Sequence, residues 1–269
     1  MFIFFLAVII IFMKVVILAG GLGSRLSEET VLKPKPMVEI GSEPILLHIM
    51  KIFAKYNYND FIICGGYKAE MIQEYFKNFY LKNADIEFNL NNGNFNILNK
   101  KSQLNWNVRV MDTGLETMTG GRLKKVMDII DDDNFLFTYG DGLSDINISK
   151  LVDFHTHHKK LATLTAVYAP GRFGALKIHN NQIENFNEKP IGDGAKINGG
   201  FFVLNRDVIN YLGDDHTIFE AEPLERLAAD GELMAFEHEG FWHAMDTLRD
   251  KNYLNDLWNA DNAPWKLDK

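Results

Sequence analysis

Hydrophobic and polar positions along the chain alternate between short apolar runs and longer segments with apolar residues at helical spacing. The run 15–18 (V-V-I-L) predicts a buried strand, and 60–66 (D-F-I-I-C-G-G) predicts the next one. Segments 44–56 and 71–80 carry apolar residues at the spacing of an amphipathic helix. Because strands and helices alternate, the pattern predicts an α/β fold with a mainly parallel sheet, right-handed crossovers and flanking helices.

An Asn-rich segment, 85–109, interrupts this alternation, and its N-N-G-N sequence between short runs predicts an inserted β-hairpin. The α/β order then resumes, with a helix near 148–157, a strand at 162–168 and a last helix near 248–258. There is no Pro/Ser-rich linker and no internal repeat, so we expect one domain over 13–269 with a C-terminal elaboration.

Residues 1–12 are strongly hydrophobic and precede the first strand without a polar spacer. They are shorter than the roughly 20 residues of a membrane span, and they lack the basic start and cleavage site of a signal peptide. We therefore expect an extension outside the fold, with Met13 as the natural initiator; a tail that touches a membrane is the alternative.

Composition narrows the class of protein. The formal net charge of −8 argues against a general nucleic-acid binder, which needs clustered Lys and Arg. Cys64 is the single cysteine, which leaves no disulfide and no usual zinc site and fits a reducing compartment such as the cytoplasm.

The first strand runs into a glycine-rich loop, A-G-G-L-G-S-R, followed by K-P-K-P. Gly20, Gly21 and Gly23 leave backbone N–H groups uncovered, and backbone of that kind binds phosphate oxygens. Arg25 adds forked donors, and Lys35 adds a compact positive charge. The segment predicts a site for a phosphorylated ligand.

This combination resembles the nucleotide-binding signature of the sugar-1-phosphate nucleotidyltransferases, and it matches neither a P-loop nor the dinucleotide fingerprint. The resemblance implies a Rossmann-like, mixed sheet of the nucleotide-diphospho-sugar transferase fold. The nucleotide contacts that it implies are Leu18, Ala19, Gly20, Gly21, Gly23, Ser24, Arg25, Lys35 and Gly140, with Arg122 as a phosphate ligand and Thr117 and Thr119 as base or ribose contacts.

Two aspartates follow apolar runs, Asp141 in Y-G-D-G and Asp246 in A-M-D-T. The carboxyl end of a parallel strand is where such sheets bind ligands, and Mg²⁺ takes one or two protein carboxylates with water and phosphate oxygens. We predict that these two side chains hold Mg²⁺.

Residues for a second substrate are expected further along the chain. Lys189 in N-E-K-P has the charge to hold a phosphate, and Glu188 can accept hydrogen bonds from sugar hydroxyls. Asn198 supplies an amide, and Gly174 and Gly199 supply bare backbone beside a sugar ring.

Longer motifs narrow the resemblance to the glucose-1-phosphate cytidylyltransferases, among them M-T-G-G-R-L-K, P-G-R-F-G-A-L, I-N-G-G-F-F-V-L and M-D-T-L-R-D. That family implies reaction of CTP with glucose 1-phosphate to give CDP-glucose and pyrophosphate, for CDP-deoxysugar and O-antigen synthesis. It also implies catalytic roles for Arg25, Lys35 and Asp141, and a homo-oligomer. The alternatives are a UTP- or dTTP-dependent enzyme and a non-catalytic nucleotide-sensing homologue.

Overall fold

The structure is a computed structural model that describes residues 13–100, 104–169, 175–179, 182–187 and 196–266. Its strands are β1 (Val15–Ala19), β2 (Glu39–Ile40), β3 (Glu43–Pro44), β4 (Asp60–Gly65), β5 (Ala84–Asn89), β6 (Asn94–Lys100), β7 (Asn107–Asp112), β8 (Asn134–Tyr139), β9 (Gly142–Ser144), β10 (Ala162–Tyr168), β11 (Ala175–His179), β12 (Gln182–Asn187), β13 (Lys196–Asn198), β14 (Phe202–Asn205), β15 (Leu233–Glu237) and β16 (Trp242–Ala244). Its α-helices are α1 (Ser27–Thr30), α2 (Ile45–Ala54), α3 (Ala69–Lys77), α4 (Phe79–Lys82), α5 (Thr119–Val126), α6 (Ile148–His158), α7 (Glu222–Ala229) and α8 (Leu248–Asn259).

The central sheet is mixed and mainly parallel. Strand β1 lies between β4 and β8 and is parallel to both, and β7 extends the parallel part beyond β4. Strand β14 pairs antiparallel with β8 and β10, while β15 runs parallel to β10. The α/β architecture predicted from the alternation of apolar runs is confirmed.

Helices cover both faces of this sheet. Because side chains alternate along a strand, Val15 and Ile17 of β1 pack into one core and Val16 and Leu18 into the other. The first core contains apolar side chains of α2, α3, α6 and α8, and the second contains those of α5 and α7. This burial on both faces explains why the strand reads as a continuous apolar run.

The predicted elements appear with small shifts at their ends. Segment 44–56 forms α2, which starts after Pro44, a residue that cannot donate a backbone hydrogen bond. Segment 71–80 is split into α3 and α4 instead of one helix. The inserted hairpin is confirmed as β5 and β6, which pair antiparallel with each other and with no other strand of the described chain.

Among the described residues, no helix combines the length and the apolar character that crossing a bilayer requires.

Candidate active site

The parallel strands place their carboxyl ends at one edge of the sheet, where the site lies. Strand β1 ends at Ala19 and β8 at Tyr139, in adjacent register, so the glycine loop comes to lie beside Gly140 and Asp141. A Cβ on Gly140 would stand 2.7 Å from the carbonyl oxygen of Leu18, so this close approach requires glycine. Gly23 has φ +65°, the left-handed region that favours glycine, at the turn into a short 3₁₀ helix.

A cavity of about 520 Å³ opens at this edge. Its walls include every residue predicted to bind the nucleotide or the metal: Leu18, Ala19, Gly20, Gly21, Gly23, Ser24, Arg25, Lys35, Thr117, Thr119, Arg122, Gly140, Asp141 and Asp246. Six further lining residues were not singled out in the sequence: Leu22, Pro36, Leu115, Glu116, Met118 and Tyr139. The structure thus brings the two predicted sets together, while their roles stay predictions.

The ammonium group of Lys35 lies between the carboxylates of Asp141 and Asp246. Its ammonium nitrogen lies 2.7 Å from Oδ2 of Asp141 and 2.8 Å from Oδ1 of Asp246. Burial by itself would lower the pKa of Lys35, but the charge of Asp141 and the hydrogen bonds to both carboxylates outweigh it and raise that pKa. Lys35 is therefore a fixed positive charge, and the exposed Arg25 adds another 3.5 Å from Asp246.

A short antiparallel pair brings the two aspartates together although they are far apart in sequence. Strand β16 pairs with β9, with Ala244 opposite Gly142 and Trp242 opposite Ser144. The N–H of Met245 then donates to the carbonyl oxygen of Asp141 at 2.9 Å. This backbone register sets Asp246 beside Asp141 at the mouth of the cavity.

The pair of carboxylates fits a magnesium ion on chemical grounds. Both are oxygen ligands that face one cavity, and each contacts the same ammonium, so they can share a small cation. Among the described residues there is no group of three or more His, Cys, Asp or Glu side chains that could hold a metal. A site of two carboxylates leaves the remaining positions of Mg²⁺ for water and phosphate oxygens, which is its usual arrangement.

Arg122 lies beneath the glycine loop, and its contacts differ from the predicted phosphate contact. Its Nη1 donates to the carbonyl oxygens of Gly65 and Gly114 and to Oγ1 of Thr113, and its Nη2 donates to the carbonyl oxygens of Gly20 and Leu115. Since the side chain is buried and its terminal nitrogens are occupied, Arg122 holds the loop in place from behind.

Backbone hydrogen bonds tie the start of α5 to the loop 213–220. Met118 donates its N–H to the carbonyl oxygen of Asp215, and Gly120 donates to that of Thr217. A Cβ on Gly121 would lie 2.7 Å from Cα of Asp215, which explains a glycine here through packing.

The two predicted base or ribose contacts are also engaged within the protein. The hydroxyl of Thr119 donates to Glu220 at 2.6 Å, and the hydroxyl of Thr117 accepts a hydrogen bond from Nζ of Lys125 at 3.1 Å. In this structure the threonines hold the wall of the cavity together, which sequence motifs alone did not indicate.

Tyr139 joins the nucleotide side to the predicted sugar side. Its hydroxyl accepts from Nδ2 of Asn198 at 3.2 Å. Burial and the carboxylate of Glu220 raise the pKa of Tyr139, so the hydroxyl stays protonated. The carbonyl oxygen of Gly199 accepts from Nε1 of Trp242 at 2.6 Å.

Asn198 and Gly199 are not among the described residues that line this cavity, and Asn198 contacts it through Tyr139. The other three predicted sugar contacts, Gly174, Glu188 and Lys189, fall outside the described residues.

A glycine loop at the carboxyl edge of a parallel sheet, with two carboxylates and the cations Lys35 and Arg25 in the same cavity, is the arrangement of an α/β protein of the nucleotide-binding class.

Comparison with known proteins gives the family. Residues 14–255 match the nucleotidyl transferase family model, and the chain belongs to this family. A glucose-1-phosphate cytidylyltransferase of Salmonella typhimurium is 58% identical over 255 residues, which are 94% of this chain and 99% of that protein. A probable glucose-1-phosphate cytidylyltransferase of Bacillus subtilis is 43% identical, with 95% of this chain and 100% of that protein covered.

A solved structure of UDP-glucose pyrophosphorylase with UDP-glucose superposes with a TM-score of 0.65. The alignment covers 93% of this chain and 100% of the other, at 15% identity. At this identity the likeness shows a shared fold only.

Proposed function

We propose that this enzyme transfers a cytidylyl group from CTP to α-D-glucose 1-phosphate and releases CDP-glucose and pyrophosphate. The observation that carries the proposal is the cavity in which the glycine loop, Lys35 and Arg25 face Asp141 and Asp246. The choice of CTP and glucose 1-phosphate rests on the two relatives, which cover nearly the whole chain and carry that activity in their names.

The sugar phosphate is already an anionic nucleophile, so the enzyme needs no covalent intermediate. Its task is to bring two anions together and to hold them in line. The N–H groups of the glycine loop bind phosphate oxygens of the nucleotide, and Lys35 and Arg25 neutralise the charge that grows on the departing pyrophosphate. Lys189 steers the phosphate of the sugar.

Asp141 and Asp246 are the residues that would hold Mg²⁺. When bound, the ion supplies positive charge that weakens the repulsion between the two phosphates. In the structure Lys35 neutralises the same two carboxylates, so the chain itself keeps the acidic pair in place.

We place the reaction in the cytoplasm, because both substrates are cytosolic, and we expect its product to feed the synthesis of CDP-linked deoxysugars for surface polysaccharide.

We further propose that copies of this chain associate through the hairpin of β5 and β6. Phe88 stands opposite Phe95 and Ile86 opposite Ile97, so these four apolar side chains share one face of a ribbon that has no other strand beside it among the described residues. Phe88 is 63% exposed, and such an apolar face is typical of a surface that a partner covers.

Sedimentation velocity tests this association. Phe88→Asp should lower the observed mass, while Asn94→Asp, on the opposite face of the hairpin, should leave it unchanged. A monomeric wild type would contradict the proposal.

The reaction is tested by measuring pyrophosphate release with CTP, UTP, dTTP and GTP, each with glucose 1-phosphate and Mg²⁺. We expect the highest kcat/KM with CTP. A higher value with UTP or dTTP would assign the enzyme to the neighbouring activity. Release with none of the four nucleotides would instead support a non-catalytic nucleotide-binding role.

A further inference from the structure

One carboxylate outside the cavity lining organises the turn that carries Asp246. Oδ2 of Asp250 accepts hydrogen bonds from the N–H of Asp246 at 3.2 Å, from the N–H of Thr247 at 2.8 Å and from the hydroxyl of Thr247 at 2.7 Å. Its Oδ1 lies 2.9 Å from Nε2 of His243. The Asp250 side chain is only 13% exposed, so these partners replace most of its contact with water.

The segment that bears Asp246 is held from two directions. Upstream, Ala244 pairs with Gly142, and Met245 donates its N–H to the carbonyl oxygen of Asp141. Downstream, Thr247 begins α8 with a capping box, in which its hydroxyl also accepts from the N–H of Asp250. Asp246 is the residue between these anchors, and Asp250 is bonded to its backbone.

We propose that Asp250 is a positioning residue for the metal ligand Asp246. The inference rests on the proposed function, since it takes Asp141 and Asp246 as the holders of Mg²⁺. Asp250 is not among the residues that line the cavity, and it acts by fixing the backbone from which the Asp246 carboxylate extends. Groups that orient metal ligands in this way typically contribute about 10- to 100-fold to metal affinity.

The competing account is that Asp250 only stabilises the start of a helix. A matched control separates the two accounts, because Asn147 caps α6 by accepting from the N–H of Lys150 at 3.0 Å, and no site residue is among its partners in the described structure. The capping box of Thr247 and Asp250 at α8 and the Asn147 cap at α6 should each contribute about 1 kcal/mol to stability. Only Asp250 should change how the enzyme binds a divalent cation.

The experiment measures Mn²⁺ binding by electron paramagnetic resonance to enzyme saturated with CDP-glucose, together with the Mg²⁺ concentration that gives half-maximal pyrophosphate release. For Asp250→Ala we expect Mn²⁺ binding to weaken about 10- to 100-fold and the Mg²⁺ requirement to rise by a similar factor. Asn147→Ala should lose comparable stability and keep both values of the wild type.

A second variant keeps the test decisive if Asp250→Ala fails to fold. Asp250→Glu retains a T-x-x-E capping box, so the helix start is preserved while the longer side chain displaces the carboxylate from the Asp246 N–H. We expect near wild-type stability with weakened Mn²⁺ binding. Wild-type Mn²⁺ binding in both Asp250 variants, or an equal loss in Asn147→Ala, would overturn the inference. Absence of pyrophosphate release by the wild type would instead count against the proposed function.

Discussion

Replacing Lys35 by methionine tests the centre of the proposed site. Methionine keeps an unbranched stem of similar length and removes only the ammonium, which now lies 2.7 Å from Asp141 and 2.8 Å from Asp246. The side chain is 13% exposed, so water replaces little of the lost charge. A charge-assisted contact of this kind at a transition state is typically worth about 3 kcal/mol, which corresponds to a loss of roughly a hundredfold in kcat.

The assay is steady-state pyrophosphate release at saturating CTP, glucose 1-phosphate and Mg²⁺. Lys33→Met is the matched control, since Lys33 lies two residues away in the same K-P-K-P segment and pairs with Glu39 outside the cavity at 3.3 Å. It should retain wild-type turnover. The reasoning is refuted if folded Lys35→Met turns over as fast as Lys33→Met.

Three further predictions concern the walls of the site and the core. Gly121→Ala should lower the free energy of unfolding in urea by about 1–3 kcal/mol, because the added Cβ would overlap Asp215. Gly21→Ala is the control for stability, since its added Cβ would meet no atom within 4 Å. It should leave the free energy of unfolding unchanged and weaken CTP binding measured by calorimetry. Arg122→Met should cost more than about 3 kcal/mol, since it leaves buried carbonyl oxygens without donors, and a fully stable variant would contradict that role. Burial, and then repulsion from the neighbouring His158, lowers the pKa of His155 from 6.5 to about 4. Between these two pH values the unfolded chain takes up a proton on His155 and the folded chain does not. The free energy of unfolding in urea should therefore fall as the pH drops from 6.5 to about 4. In His155→Gln the free energy of unfolding should depend less on pH over this range.

The hydrophobic pattern was sufficient to predict strands and helices whose ends coincide with a change in that pattern. The strand at 162–168 was placed correctly, since its ends coincide with changes in hydrophobic pattern. The last helix, predicted near 248–258, spans Leu248–Asn259, so its start was placed correctly and its end one residue early. The break between α3 and α4 was missed because the apolar spacing continues through it.

Sequence motifs pointed to most of the residues that line the cavity, but not to the contacts between segments that are far apart in the sequence. Y-G-D-G and A-M-D-T pointed to the two aspartates, but the three-residue strands that join them are too short to leave a periodic signal. The role of Arg122 depends on carbonyl oxygens from separate loops. Such contacts form only when the whole sheet is assembled.

The pairing of β9 with β16 has a consequence for how the protein is made. In a nascent chain the glycine loop and Lys35 leave the ribosome well before Asp141, yet the partner of Asp141 emerges only at residue 246. Any product of a premature stop codon ahead of that point lacks half of the acidic pair. The two carboxylates can therefore meet only after residue 246 has been synthesised.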